Sequence, residues 1–167
     1  DWQAFDWDAF GNAKRVIDSA SVVLQENSYN IRGFKTASTD ADMGSWTYAP
    51  NPLGEVETQI DAKGQTISIG YDALGRVTSK SEPAPGGGTI LNEWQWGTSA
   101  AAKNIGQLEW SRKKLNGVTT YQEAVLYDAL ARPLQIQIFD GATSHAVDYG
   151  YDASTGQLDT TTYPVST

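Results

Sequence analysis

Tyr71-Asp72-Ala73-Leu74-Gly75-Arg76 returns as Tyr127-Asp128-Ala129-Leu130-Ala131-Arg132, and the reading of this phrase decides the fold. Looser copies stand at Trp7-Asp8-Ala9-Phe10-Gly11-Asn12, Ile60-Asp61-Ala62-Lys63-Gly64-Gln65 and Tyr151-Asp152-Ala153-Ser154-Thr155-Gly156-Gln157. More distant ones are Tyr29-Asn30-Ile31-Arg32-Gly33-Phe34 and Pro50-Asn51-Pro52-Leu53-Gly54-Glu55. A unit that recurs along a chain stacks on its own neighbours, so the pattern speaks for a scaffold before it speaks for chemistry.

Asp-Ala-Leu-Gly fills four turn positions. Asp or Asn suits the first position of a type I turn, Pro the second and Gly the fourth. The Asx oxygen bonds a backbone N–H two residues on, and glycine enters the left-handed region that closes a bulged hairpin. The expected turn-formers are Asp8, Gly11, Asn51, Gly54, Asp61, Gly64, Asp72, Gly75, Asp128, Asp152 and Gly156. If Asp72 and Gly75 close the hairpin, Tyr71 pairs with Arg76 across it, and Tyr127 with Arg132 by the same count. Such strand-locking pairs contribute roughly 0.2–1 kcal/mol each. Ala131 stands where glycine is expected, which predicts a different turn there. The extra residue in 151–157 predicts a different loop as well.

Other signals agree. Asn116-Gly117 and Asp140-Gly141 each separate two strand-like runs, 108–115 from 118–127 and 134–139 from 146–151. Gln135-Ile136-Gln137-Ile138 and Thr66-Ile67-Ser68-Ile69 alternate polar with apolar, as half-buried strands do. Successive turn positions lie about 10–11 or 21–31 residues apart, the length of one or two hairpin arms. Only residues 99–104 could form a helical turn. The expected fold is all-β, an array of antiparallel hairpins.

The 167 residues carry a net charge of −8, which argues against nucleic acid or an anionic membrane as partner. There is no cysteine, hence no disulfide framework or thiolate metal site. Neither a signal peptide nor an apolar run of membrane length is present. The chain opens inside a repeat and ends on Tyr163-Pro164-Val165-Ser166-Thr167 without a cap, as an excised segment of a longer protein would. Residues 1–167 read as a single repeat segment. The Pro/Gly-rich stretch 81–88 is a loop between two hairpin runs, 1–80 and 89–167, with a true linker as the alternative.

Tyr-Asp-Ala-Leu-Gly-Arg-Val at 71–77, preceded by Asp-Ala-Lys-Gly-Gln at 61–65, resembles the YD repeat of Rhs proteins. That repeat is shared with the B/C component of insecticidal Tc toxins and with teneurins. The bacterial phrasing favours the Rhs or Tc type. The resemblance implies a long sheet spiralling through hairpins into a hollow shell that encloses a toxic C-terminal polypeptide. This segment would be part of the wall of a secreted or surface bacterial protein, non-enzymatic and without cofactor. Its partners would be neighbouring YD repeats and the enclosed polypeptide. The family's core region with its self-cleavage site has no counterpart here, so no autoproteolysis is implied.

Rival chemistry is thinly supported. His145 is the single histidine, and Ser144-His145 is no triad because neighbours in a strand point to opposite faces. Asp6/Asp8 and Asp40/Asp42 each place two carboxylates roughly 6–7 Å apart on an extended chain. Asp8, however, is taken by its turn, and 39–44 reads as a polar loop short of calcium ligands. Gly86-Gly87-Gly88 lacks the lysine and helix of a phosphate loop. The strongest rival is a carbohydrate-binding or adhesive module, with Trp46, Tyr48, Trp94 and Trp96 stacking on sugar rings of a cell-surface glycan. The plainer reading packs those rings between hairpins.

Overall fold

A computed structural model describes residues 2–164; Asp1 and residues 165–167, the last part of the Tyr163–Thr167 run, lie outside the described residues. Among the described residues the chain is all-β, with fourteen antiparallel strands and no helix. It divides into two compact units, Asp1–Gly70 and Tyr71–Thr167.

The first unit is a meander of β1 (Gln3–Trp7), β2 (Ala13–Asp18), β3 (Val23–Tyr29), β4 (Lys35–Asp40), β5 (Gly44–Pro50), β6 (Val56–Ile60) and β7 (Thr66–Tyr71). The last residue of β7 falls in the second unit. Each strand pairs antiparallel with the next. The second unit repeats the plan with β8 (Val77–Pro83), β9 (Thr89–Trp96), β10 (Leu108–Leu115), β11 (Val118–Tyr127), β12 (Pro133–Phe139), β13 (Ser144–Tyr151) and β14 (Leu158–Thr162).

Period-two alternation sorts the side chains. In the first unit, Tyr29, Trp46, Tyr48, Ile67 and Ile69 share one face, while Ser28, Thr47, Ala49 and Ser68 stand exposed on the other. In the second, the row Val125–Ile136–Val147 lies on the face of Trp94 and Ile138. The row Ala124–Gln137–Ala146 lies on the opposite one. Among the described residues no second layer covers either unit. The one buried hydrophobic side chain described is Ala84, and no large side chain is fully buried. Cohesion therefore rests on the backbone ladder, on cross-strand contacts and on the turns.

Two local expectations change. Residues 81–83 belong to β8, and only 84–88 leave the ladder, closing a turn with Ala84 N–H on the Gly88 carbonyl at 3.1 Å. A proline on the last residue of a strand costs no ladder bond there. Residues 99–104 form no helix. Asn104 is buried and accepts the Ser99 N–H at 2.9 Å, which pins a non-helical loop.

Candidate functional site

The phrase that repeats in the sequence builds one device. At Tyr71–Arg76, the Asp72 N–H donates to the Arg76 carbonyl at 2.9 Å and the Gly75 N–H to the Asp72 carbonyl at 3.0 Å. Asp72 Oδ1 accepts the N–H groups of Leu74 and Arg76 at 2.9 and 3.0 Å. The same four bonds recur at Asp8, Asp61 and Asp128, and at Asn51 and Asn30 through the amide oxygen. Asp18 does likewise, closing on Ser21 at φ 63°. Serine in the glycine place hides this turn from sequence reading. Gly75 sits at φ 76°, as the bulge requires. Gly54 is constrained twice, since a Cβ there would come within 2.7 Å of the Phe34 ring.

Ala131 does not force a different turn. It adopts φ 60°, its N–H bonds the Asp128 carbonyl at 3.0 Å, and the copy superimposes bond for bond on the others. Arg132 clasps Asp128 through Nε and Nη2 at 2.7 and 2.6 Å, as Arg76 clasps Asp72 at 2.8 and 2.6 Å beside Gly75. The 151–157 copy widens by one residue, with Asp152 N–H on the Gln157 carbonyl at 2.9 Å and Gly156 N–H on the Asp152 carbonyl at 2.8 Å.

These bonds set the carboxylate electrostatics. Hydrogen bonds from Arg76 and Arg132 hold Asp72 and Asp128 below the ordinary aspartate range. Asn12 does the same for Asp8. The Thr143 and Ala142 N–H groups bring Asp140 down to about 2. The Ser154 hydroxyl and Thr155 N–H lower Asp152 further still.

The register across the turn differs from the expected one. Tyr127 lies opposite Pro133, not Arg132; Trp7 lies opposite Ala13 and Tyr29 opposite Lys35. The reason is the bulge: because the Asp N–H closes on the Arg carbonyl, the arginine is the extra residue and turns back onto its own aspartate. The rings reach elsewhere. The Tyr29 hydroxyl donates to the Ala13 carbonyl at 2.9 Å, Tyr127 to Leu108 at 2.7 Å and Tyr151 to Pro133 at 2.8 Å. The Trp96 indole N–H donates to Val77 at 2.9 Å. Each acceptor is the first residue of the strand before the ring's own, where the ladder between those strands has already ended. The β12–β13 pairing stops at Gln135–Asp148, and β2–β3 at Arg15–Glu26. An orphan carbonyl is thereby satisfied, and one hairpin is tied to the one before it. The arginines complete the tie: the Arg76 guanidinium lies 4.9 Å over Trp96, and Arg132 lies 3.9 Å over Tyr151 while bonding the Gly156 carbonyl at 2.8 Å. Sequence reasoning identified the residue types but not these destinations, because strand-to-strand acceptors leave no mark in local spacing. Tyr71 is half-buried.

Trp46, Tyr48, Trp94 and Trp96 are all half-buried. Trp46 donates its indole N–H to the Met43 carbonyl at 3.1 Å, so two of these four rings are tied to backbone. Asp40 is no loop acid. It ends β4 and accepts the N–H groups of Asp42 and Met43, both at 2.9 Å. Exposed His145 touches Thr143 at 2.8 Å and Asp140 at 3.3 Å through the same nitrogen, Nε2, which is no relay geometry. Among the described residues no three acids or histidines converge on a metal position.

Solved structures of TcdB2-TccC3 share this fold. The TcdB2-TccC3-TEV and TcdB2-TccC3-Cdc42 crystal structures each match with a TM-score of 0.53 at 12% identity. TcdB2-TccC3 without its hypervariable C-terminal region matches at 0.52 and 12%. Each match covers 93% of this chain and 12% of the other, so the chain spans a small part of the length of these proteins. At such identity the likeness is one of fold. No protein-family model and no curated protein matches the sequence.

Proposed function

We propose that this chain is a non-catalytic wall segment of a YD-repeat shell of the Rhs or Tc type. In this reading its hairpins continue into neighbouring repeats, and the complete shell, secreted or carried on a bacterial surface, encloses a toxic C-terminal polypeptide. The observation that carries the reading is the hairpin tie. Rings tie four strands to the strand before them, at Tyr29, Trp96, Tyr127 and Tyr151, and an arginine from a turn covers the ring at Trp96 and Tyr151, in sheets with little buried core. Such a device extends a wall in one direction without needing a second layer. Its fold, shared with the TcdB2-TccC3 structures, supports the same assignment.

The test is made on the full-length gene product. Protease is added to the protein as isolated and to a variant carrying Gly75→Val with Tyr127→Phe. The C-terminal polypeptide is expected to survive in the former and be cut in the latter. Equal rates of cleavage would overturn the reading.

A further inference from the structure

We propose that Asn116-Gly117 is a site of deamidation through a cyclic imide, latched shut by Thr89, so that Asn116 turns into aspartate or isoaspartate only when that end of the β9–β10 ladder opens.

Two glycine-containing motifs of the sequence meet here. Asn116-Gly117 joins β10 to β11, and Gly86-Gly87-Gly88 leads into β9. Asn116 stands in left-handed backbone at φ 51°. Its N–H donates to the Thr89 carbonyl at 2.9 Å, and its side-chain Oδ1 accepts the Thr89 N–H at 2.9 Å. In a closed antiparallel pair that second bond belongs to the backbone carbonyl. The side-chain amide takes its place. Gly88 makes room for it, since a Cβ there would collide with Asn116 Oδ1.

The same amide is primed for reaction. Asn116 is the one asparagine followed by glycine, and Gly117 has no Cβ to keep its nitrogen from the neighbouring amide carbon. Both residues are exposed, and the space beside the Gly117 Cα is open. In the reaction the Gly117 nitrogen bonds Asn116 Cγ. The Cγ–Nδ2 bond breaks, and ammonia leaves with the proton of the Gly117 N–H. Water then adds to either carbonyl of the imide. One opening gives aspartate; the other gives isoaspartate, in which the main chain runs through Cβ and Cγ.

The latch opposes the first step. Attack needs the amide to swing onto its own following nitrogen, and the Thr89 N–H holds it across the ladder instead. Conversion therefore runs through chains in which this end of the ladder has opened, which needs less free energy than global unfolding. The two products differ in what they undo. Aspartate keeps an oxygen for the Thr89 N–H. Isoaspartate lengthens the tight turn between the paired Leu115 and Val118, so the hairpin loses its native closure and the change is one-way.

The 167-residue chain is held at neutral pH, folded in buffer and unfolded in guanidinium chloride, and sampled over weeks. Tryptic peptide 115–132 contains Asn116 as its one asparagine, and mass spectrometry of its fragment ions follows the conversion. The folded chain should convert more slowly than the unfolded one by about tenfold or more. Thr89→Pro removes the latching N–H at the first residue of a strand, where proline is tolerated. With its fold checked by far-UV circular dichroism, it should convert about fivefold faster than the native folded chain, the worth of one ordinary hydrogen bond. The isoaspartate form, isolated by ion exchange and identified by isoaspartyl methyltransferase labelling, should melt below Asn116→Asp, which has the same charge on an unlengthened chain. Equal rates in the folded and unfolded chain, a native rate in folded Thr89→Pro, or an isoaspartate form as stable as Asn116→Asp would overturn the proposal. Should Thr89→Pro not fold, the folded-to-unfolded ratio and the isoaspartate melt decide alone.

Discussion

Two residues in equivalent places, Gly75 and Ala131, measure what the turn demands. Both adopt left-handed backbone, at φ 76° and 60°. A left-handed L-residue costs roughly 1–2 kcal/mol and a β-branched one more. Gly75→Val is therefore expected to destabilise the chain by about 2 kcal/mol or more, and Ala131→Gly to stabilise it by about 0.5–1 kcal/mol, the left-handed strain less the backbone entropy of glycine. Urea titration followed by tryptophan fluorescence reads both. A stabilising Gly75→Val would mean the turn is not the one described. The same positions show how legible the residue scale was. Asp-x-x-Gly announces its own turn because oxygen, spacing and φ are all local. Ala131 and Ser21 adopt the glycine conformation under the grip of flanking bonds, which no residue type declares.

At the scale of the hairpin, the decisive contact is a ring that crosses to the previous one. Tyr127→Phe removes the hydroxyl that satisfies the Leu108 carbonyl and should cost about 1 kcal/mol. Leu130→Ser, on a side chain 71% exposed at the tip of the same turn, should change stability by less than about 0.5 kcal/mol. Paired thermal melts compare the two; equal effects would show that the ring bond contributes nothing. The strands themselves were legible, since the 108–115 and 118–127 runs about Asn116-Gly117 coincide with β10 and β11. Their register was not. A bulge after the turn moves Tyr127 from Arg132 to Pro133, and only the closing bond of Asp128 to Arg132 decides that shift.

For the molecule as a whole, the turns make stability depend on acid. Asp8, Asp40, Asp72, Asp128, Asp140 and Asp152 are all held below the ordinary value when folded. A lowered folded pKa contributes stability that is fully present above the unfolded value, near 4, and is lost as pH falls through the folded one. For Asp140, held at about 2, that window runs from about 4 to about 2. Melting temperature should thus fall steeply below pH 4. Asp72→Asn and Asp128→Asn together should flatten the fall, because Asn30 and Asn51 make the same turn bonds without titrating. An unchanged slope would separate the carboxylates from the stability they are credited with.

The hydrogen-exchange rates of the turn amides bear most directly on how the chain is built. The N–H groups of Leu74 and Leu130 sit in exposed turns and bond only their own aspartate oxygens, at 2.9 and 2.8 Å. At neutral pH, exchange followed by nuclear magnetic resonance should show both slowed well beyond unfolded-chain rates, and Asp72→Ala should release Leu74 and Arg76 while Leu130 stays slow. Turn amides that exchange freely in the native chain would contradict the repeated phrase as a closed reversal, and with it the wall it builds.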